Sequence, residues 1–167
     1  TDYPALYPLL IAPTFAFDTN DARFIAIYVL HALMLTLGTL ALLPMLRSVM
    51  TNRSAWFTIA AAQFLAGAGY QGLWARSEVL FMALVCGATG AVWWALDRES
   101  YRRWIVVGVA CGLAVAARRT GLVLPVAAGL VALGAHGAWR DRGWALLAVG
   151  AGVGIGLVPE LIASALH

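Results

Sequence analysis

The sequence predicts an all-α protein: a polytopic transmembrane helix bundle of about six spans behind an N-terminal helical segment lying at the membrane interface. Three observations carry this prediction. Of the 167 residues, 62% are apolar and only 11% are charged, against about 25% charged in an ordinary soluble domain. The apolar residues gather in uncharged stretches long enough to cross a hydrocarbon core of roughly 30 Å. The charges fall mostly between those stretches, and mean hydropathy is +0.84. Such a composition excludes a disordered chain, a nucleic-acid-binding tail and almost any soluble enzyme. Cys86 and Cys111 lie inside apolar runs and read as small hydrophobic residues, not as a disulfide or a metal clip.

The first element is residues 1–22. Its apolar part is interrupted by Pro4, Pro8 and Pro13. It is too short and too broken for a span, and suits an outer-interface segment with Tyr3 and Tyr7 at headgroup depth. Residues 23–167 then form the transmembrane bundle, with spans expected at about 24–46, 54–75, 79–96, 104–117, 120–139 and 143–159. The stretch 104–139 is the difficult one, because Arg118 and Arg119 sit in its middle. An Arg at the bilayer centre costs about 2.5–3.5 kcal/mol on insertion scales, so a hairpin of two spans turning at 118–121 is the cheaper solution. Arg102, Arg103 and Arg118 would then snorkel from the ends of its short first arm.

Charge parity supports the hairpin. Six spans put Arg47, Arg53, Arg98, Arg102, Arg103, Arg140 and Arg142 on one side, and Arg23, Arg76, Arg118 and Arg119 on the other. The positive-inside rule makes the first group cytoplasmic. A single span through 104–139 would carry Arg140 and Arg142 outside and nearly level the split. The chain opens on Thr1 without an initiator methionine or a cleavable signal. It is therefore expected to be an excerpt of a longer protein, inactive alone, whose earlier span delivers this segment to the outer side.

On the outer side this topology collects Asp2, Tyr3 and Tyr7 from the interfacial segment, Arg76, Ser77 and Glu78 from the second outer loop, and Arg118 and Arg119 from the hairpin turn. Paired guanidinium groups at a membrane edge suit a phosphate, because Arg offers a planar fork and stays charged at low dielectric. A nearby Asp or Glu can accept a proton from an attacking hydroxyl. Blander readings stand beside these. Arg118 and Arg119 can anchor a turn to anionic headgroups, and Glu78 can be a first-turn acid that favours its helix dipole, with Ser77 as cap.

Other patterns read as structural. His31, about two turns inside the first span, is expected to be a buried, hydrogen-bonded histidine, since no second His, Asp or Glu shares that span. His136 falls near an inner span end. Gly150, Gly152, Gly154 and Gly156 hold two overlapping G-x-x-x-G pairs that favour close helix packing, without completing a dinucleotide fingerprint. Trp56, Trp74, Trp93, Trp94, Trp104, Trp139 and Trp144 fall mostly near span ends, as an interfacial aromatic belt would place them. No cluster has metal-ligand spacing, and these residues require no cofactor, although a carboxylate pair can bind a divalent metal.

The segment Asp2-Tyr3-Pro4-Ala5-Leu6-Tyr7-Pro8-Leu9-Leu10 resembles the "YPPLYPLL" or "KPPLYYWL" segment of GT-C membrane glycosyltransferases, a superfamily that includes the protein O-mannosyltransferases and the lipid A aminoarabinose transferase. The order that follows is similar too. Arg23 opens the next span, Ser77-Glu78-Val79-Leu80-Phe81 forms a short acidic motif before a span, and residues 112–125, GLAVAARRTGLVLP, are similar to the family's "GLAxLTKGPxGLVLP". Ala5 replaces the usual second proline, and RRTG replaces TKGP.

The resemblance implies transfer of a sugar from a polyprenyl-phosphate donor to a lipid, glycan or protein acceptor at the outer face of the membrane. It places Arg118 and Arg119, with Arg76, on the donor phosphate, and Glu78, Tyr3 and Tyr7 on the substrate. The family's key acid would precede Thr1, so the main base is expected upstream and Asp2 is a supporting acid. The implied setting is a bacterial plasma (inner) membrane with the active face toward the periplasm, and a Lys-free, Arg-rich composition suits it. The expected partners are the lipid-linked sugar donor, its acceptor and membrane lipids, with no nucleic acid. The rival readings are a transporter or flippase segment and a non-catalytic membrane scaffold. Spans free of ionisable groups apart from His31 and His136 disfavour a carrier.

Overall fold

A computed structural model describes residues 6–70, 77–97, 100–135 and 137–165. Asp2, Tyr3, Trp74, Arg76 and His136 lie outside these described residues. The protein is an all-α helical bundle, with helix over 91% of the described residues and no strand among them. The α-helices are α1 (Leu6–Ile11), α2 (Asn20–Leu40), α3 (Leu43–Val49), α4 (Asn52–Tyr70), α5 (Ser77–Leu96), α6 (Tyr101–Ala117), α7 (Val123–Ala135), α8 (Trp139–Gly156) and α9 (Val158–Ala165). Short 3-10 turns follow α1 at Ala12–Ala16 and precede α7 at Arg119–Leu122.

Local chemistry sets these boundaries. The tight turn after α1 carries Pro13 at its start, and α2 begins where the Thr19 hydroxyl accepts a hydrogen bond from the Ala22 N–H at 3.2 Å. Asp21 in the first turn complements the helix dipole. The uninterrupted apolar run expected at 24–46 is broken at 41–42. Pro44 has no N–H to give, so the Ala41 and Leu42 N–H groups close on the carbonyls of Leu37, Gly38 and Thr39 before α3 begins. Residues Asn20–Val49 and Ser77–Leu96 are long and apolar enough to cross a membrane, and α8 with α9 makes a third candidate, bent by 42° between them.

Backbone contacts fix the directions of the helices. Gly38 faces the backbone of Ala83, and Gly90 faces the carbonyl of Ala41, so α2 and α5 run parallel with their chains almost touching. A Cβ on Gly38 would come within 2.6 Å of the Ala83 oxygen. α6 runs antiparallel to α5: Arg103 reaches the Trp94 carbonyl at one end, and Arg118 reaches Glu78 at the other. α6 and α8 pack in parallel through Gly108 against Val149 and Gly152, and Gly112 against Val153 and Gly156. α7 returns alongside this pair, with Ala128 and Ala132 buried in the same core cluster as Ala145 and Ala148 of α8. α4 lies against α2 and α3, where the Gln63 amide donates to the Thr39 hydroxyl and Arg47 stacks on Trp56 with 5.6 Å to the ring centroid.

The interior is built mainly of small residues: alanines, glycines, Val107, Val149 and Cys111. The large ones, such as Phe24, Ile25, Val29, Leu33 and Leu37, point outward. A water-soluble monomer does not expose a continuous apolar surface of this kind, whereas close packing through small residues is how helices associate in lipid. Trp104 departs from the expected belt: it is fully buried (0% exposed), packed with Val107, Ala145 and Val149 where alanines leave room for an indole. Trp56, Trp93, Trp94, Trp139 and Trp144 do lie at the surface. Of the glycine series, Gly152 and Gly156 touch α6, while Gly150 and Gly154 face open space.

Candidate functional site

One end of the bundle gathers polar side chains from four parts of the chain. The first is the turn at 118–121. Arg118 leaves the helical conformation (φ −159°, ψ 128°), and its N–H closes α6 on the Ala114 carbonyl. The Gly121 N–H then bonds the Arg118 carbonyl at 2.8 Å, and Gly121 folds back on α6 so closely that a Cβ would lie 2.6 Å from the Ala114 oxygen. This tight reversal leaves Arg118 and Arg119 exposed at the tip.

The second part is the start of α5. Glu78 sits in its first turn, where the helix dipole favours an acid. Arg118 Nη1 donates to Glu78 Oε1 at 3.2 Å. The two side chains are 44% and 36% exposed, so the pair stays reachable from solvent. In high dielectric such a pair adds little stability, about 0–1 kcal/mol.

α1 and α2 supply the rest. Leu6 and Tyr7 are the buried residues of α1, packed on Leu80, Ala116 and Ala117 with Met34 and Leu113 around them. The Tyr7 hydroxyl is 3.0 Å from His31 Nε2, and the two rings lie 5.8 Å apart at 34°. Burial, and secondarily the Glu78 carboxylate, raise the Tyr7 phenol above its ordinary value of about 10. Tyr7 packs on Leu80, just after Glu78, and on Ala117, just before Arg118, so its phenol lies at the same end of the bundle as that pair. Behind α1, a cavity of about 560 Å³ is lined by Leu10, Pro13, Phe17, Ile25, Val29 and Leu33. It is almost wholly hydrocarbon and opens outward from the bundle.

Of the residues singled out in the sequence, the structure brings Tyr7, Glu78 and Arg118 together, with Arg119 beside them. Asp2, Tyr3 and Arg76 lie outside the described residues. The sequence placed His31 as a hydrogen-bonded histidine but missed its partner, which is 24 positions away on another element. The available signal was Tyr7 itself, a phenol in an apolar segment that needs a polar neighbour. Among the described residues, no group of three or more His, Cys, Asp or Glu side chains is arranged to hold a metal ion.

Comparison with known proteins gives one family. No curated protein and no solved structure matches the chain. The model of the dolichyl-phosphate-mannose-protein mannosyltransferases does match, over residues 2–162, so nearly the whole chain is covered and the charged end of the bundle lies inside the match. With its apolar helices and this match, the chain belongs to the dolichyl-phosphate-mannose-protein mannosyltransferase family of GT-C membrane glycosyltransferases.

Proposed function

We propose that the chain is part of an enzyme that transfers a sugar, mannose in the family's own description, from a polyprenyl-phosphate donor to an acceptor at the outer face of a membrane. The observation that carries this is the Arg118–Glu78 pair with Arg119 adjacent, an exposed guanidinium–carboxylate contact at the edge of an apolar bundle. An acceptor hydroxyl attacks the anomeric carbon as its proton passes to a carboxylate base, and the bond to the donor phosphate breaks with its electrons going to the phosphate. Guanidinium groups whose contacts strengthen as that charge accumulates lower the barrier. An arriving phosphate competes with Glu78 for Arg118 and so releases a carboxylate beside the acceptor. Tyr3, Tyr7 and Glu78 border the substrate, Arg76 joins Arg118 and Arg119 on the donor phosphate, and Asp2 is a supporting acid. The apolar groove behind α1 suits the prenyl chain.

The proposed topology has spans formed by α2–α3, α4, α5, α6, α7 and α8, with α1 along the outer interface. The setting we infer is the bacterial inner membrane, with this end facing the periplasm. Arg47, Arg103 and Arg142, each over a tryptophan ring at 5.6, 4.3 and 5.0 Å, then form the cytoplasmic belt.

The test is transfer from mannosyl polyprenyl phosphate by the full-length protein in vesicles. Arg118→Ala combined with Arg119→Ala is expected to lower transfer about 100-fold or more, through loss of donor binding and of charge stabilisation. A folded double variant that binds donor and transfers as the parent does would overturn the reading in favour of a scaffold.

A further inference from the structure

α1 is six residues long, too short to hold its own position. Docking therefore decides where it sits: Leu6 and Tyr7 are buried and Ile11 packs against the same cluster, while Leu9 and Leu10 face outward. The Tyr7 ring, only 8% exposed, fills an apolar socket made by α5 and α6. At the rim of that socket its hydroxyl meets His31 Nε2 of α2 at 3.0 Å. A polar ring on an apolar helix is costly without a partner, and so is a buried phenol. The two needs are met together only when α1 sits in this place. The socket residues Leu80 and Ala117 stand close to Glu78 and Arg118 in the chain, and the Glu78 carboxylate holds Arg118.

We propose that His31 is a positioning residue of the transferase site, setting through the Tyr7 hydroxyl where the interfacial segment lies relative to the Glu78–Arg118 pair. This rests on the transferase reading above. The proton can reside on either ring nitrogen; the link requires one hydrogen bond between the two side chains. Donor binding by Arg118 and Arg119 comes from a different element and is independent of His31. The signature of positioning is thus a fall in kcat with donor affinity kept.

The experiment uses the full-length protein in vesicles with mannosyl polyprenyl phosphate, comparing His31→Phe, Tyr7→Phe, their combination and His31→Gln. His31→Phe and Tyr7→Phe are each expected to lower kcat about tenfold, the combination no further, with donor affinity unchanged. His31→Gln, which retains hydrogen-bonding capacity, recovers part of the loss. Independently of activity, the ring-nitrogen NMR signals of His31 in histidine-labelled protein shift when Tyr7→Phe removes the hydroxyl. Tyr7→Phe keeps the ring that fills the socket, so this arm remains readable if His31→Phe fails to fold. Parental kcat in both single variants would overturn the role of His31, whatever happens to stability, and so would His31 signals indifferent to Tyr7→Phe. Absence of transfer by the parent protein would overturn the transferase reading itself.

Discussion

At Tyr7 an apolar socket and a nearby carboxylate both oppose ionisation, and the sign of the consequence follows from linkage. The phenol is raised above its ordinary value of about 10 in the folded protein, by burial first and by Glu78 second. The folded state thus holds its proton where the unfolded chain would release it. Its contribution to stability is full below pH 10 and is lost as pH rises through the folded value. Thermal unfolding in detergent, followed from about pH 9 to about pH 11, is expected to show an alkaline decline that Tyr7→Phe flattens. An unchanged decline in that variant would assign it to another group. Glu78 behaves in the opposite way. Its pair with Arg118 is half exposed, so Glu78→Gln is expected to change stability by less than about 1 kcal/mol while transfer falls by a factor of about ten or more. Equal losses of stability and activity would mean that the pair is structural.

At the scale of elements, the parallel α6–α8 seam holds the bundle together through backbone approach. Gly108 faces the Val149 carbonyl and Gly152, while Gly112 lies 2.5 Å, measured from an added Cβ, from the Val153 oxygen. Neither neighbour is a flexible side chain that can swing away. Gly108→Ala or Gly152→Ala must separate the two helices, at an expected cost of about 1–3 kcal/mol. Gly150→Ala and Gly154→Ala meet nothing within 4 Å and are expected to be neutral or slightly stabilising, since alanine is the better helix former. Thermal unfolding of the four variants separates the sets, and equal effects would show that the seam is not what resists separation. The sequence displayed the glycine series of α8 but could not say which pair is used, because that depends on the phase of a partner helix. Gly108 and Gly112, around Val109, Ala110 and Cys111, form a G-x-x-x-G pair of the same kind, a packing signal present in the sequence that went unused. Trp104 failed for a related reason: proximity to a span end suggests an interface, but the alanines of α7 and α8 make room for it inside. Pro44 was visible, yet hydropathy averages over it and hides the break it causes.

At the scale of the whole molecule, the class was legible because composition alone decides it, and the charged end was legible because arginines and a glutamate mark the ends of apolar runs. The Tyr7–His31 contact was not, since it exists only after an interfacial segment docks on a distant span. Direction is the remaining global property. α5, α6 and α7 alternate, and α8 runs parallel to α6. If each of these arms spans the bilayer, the turn at 118–121 faces outside and the connections near Ser48 and Gly137 face inside. Cys86 is half-buried and Cys111 buried; replacing both by alanine gives a background for single reporters at exposed positions. With a membrane-impermeant maleimide on intact cells, Thr120→Cys is expected to label at once, while Ser48→Cys and Gly137→Cys label only after permeabilisation. Labelling of Gly137→Cys from outside, with Thr120→Cys protected, would mean that the hairpin is inverted and the turn at 118–121 faces the cytoplasm. Arg118 and Arg119 would then lie at the inner face, and the phosphate site proposed at the outer face would lose its location.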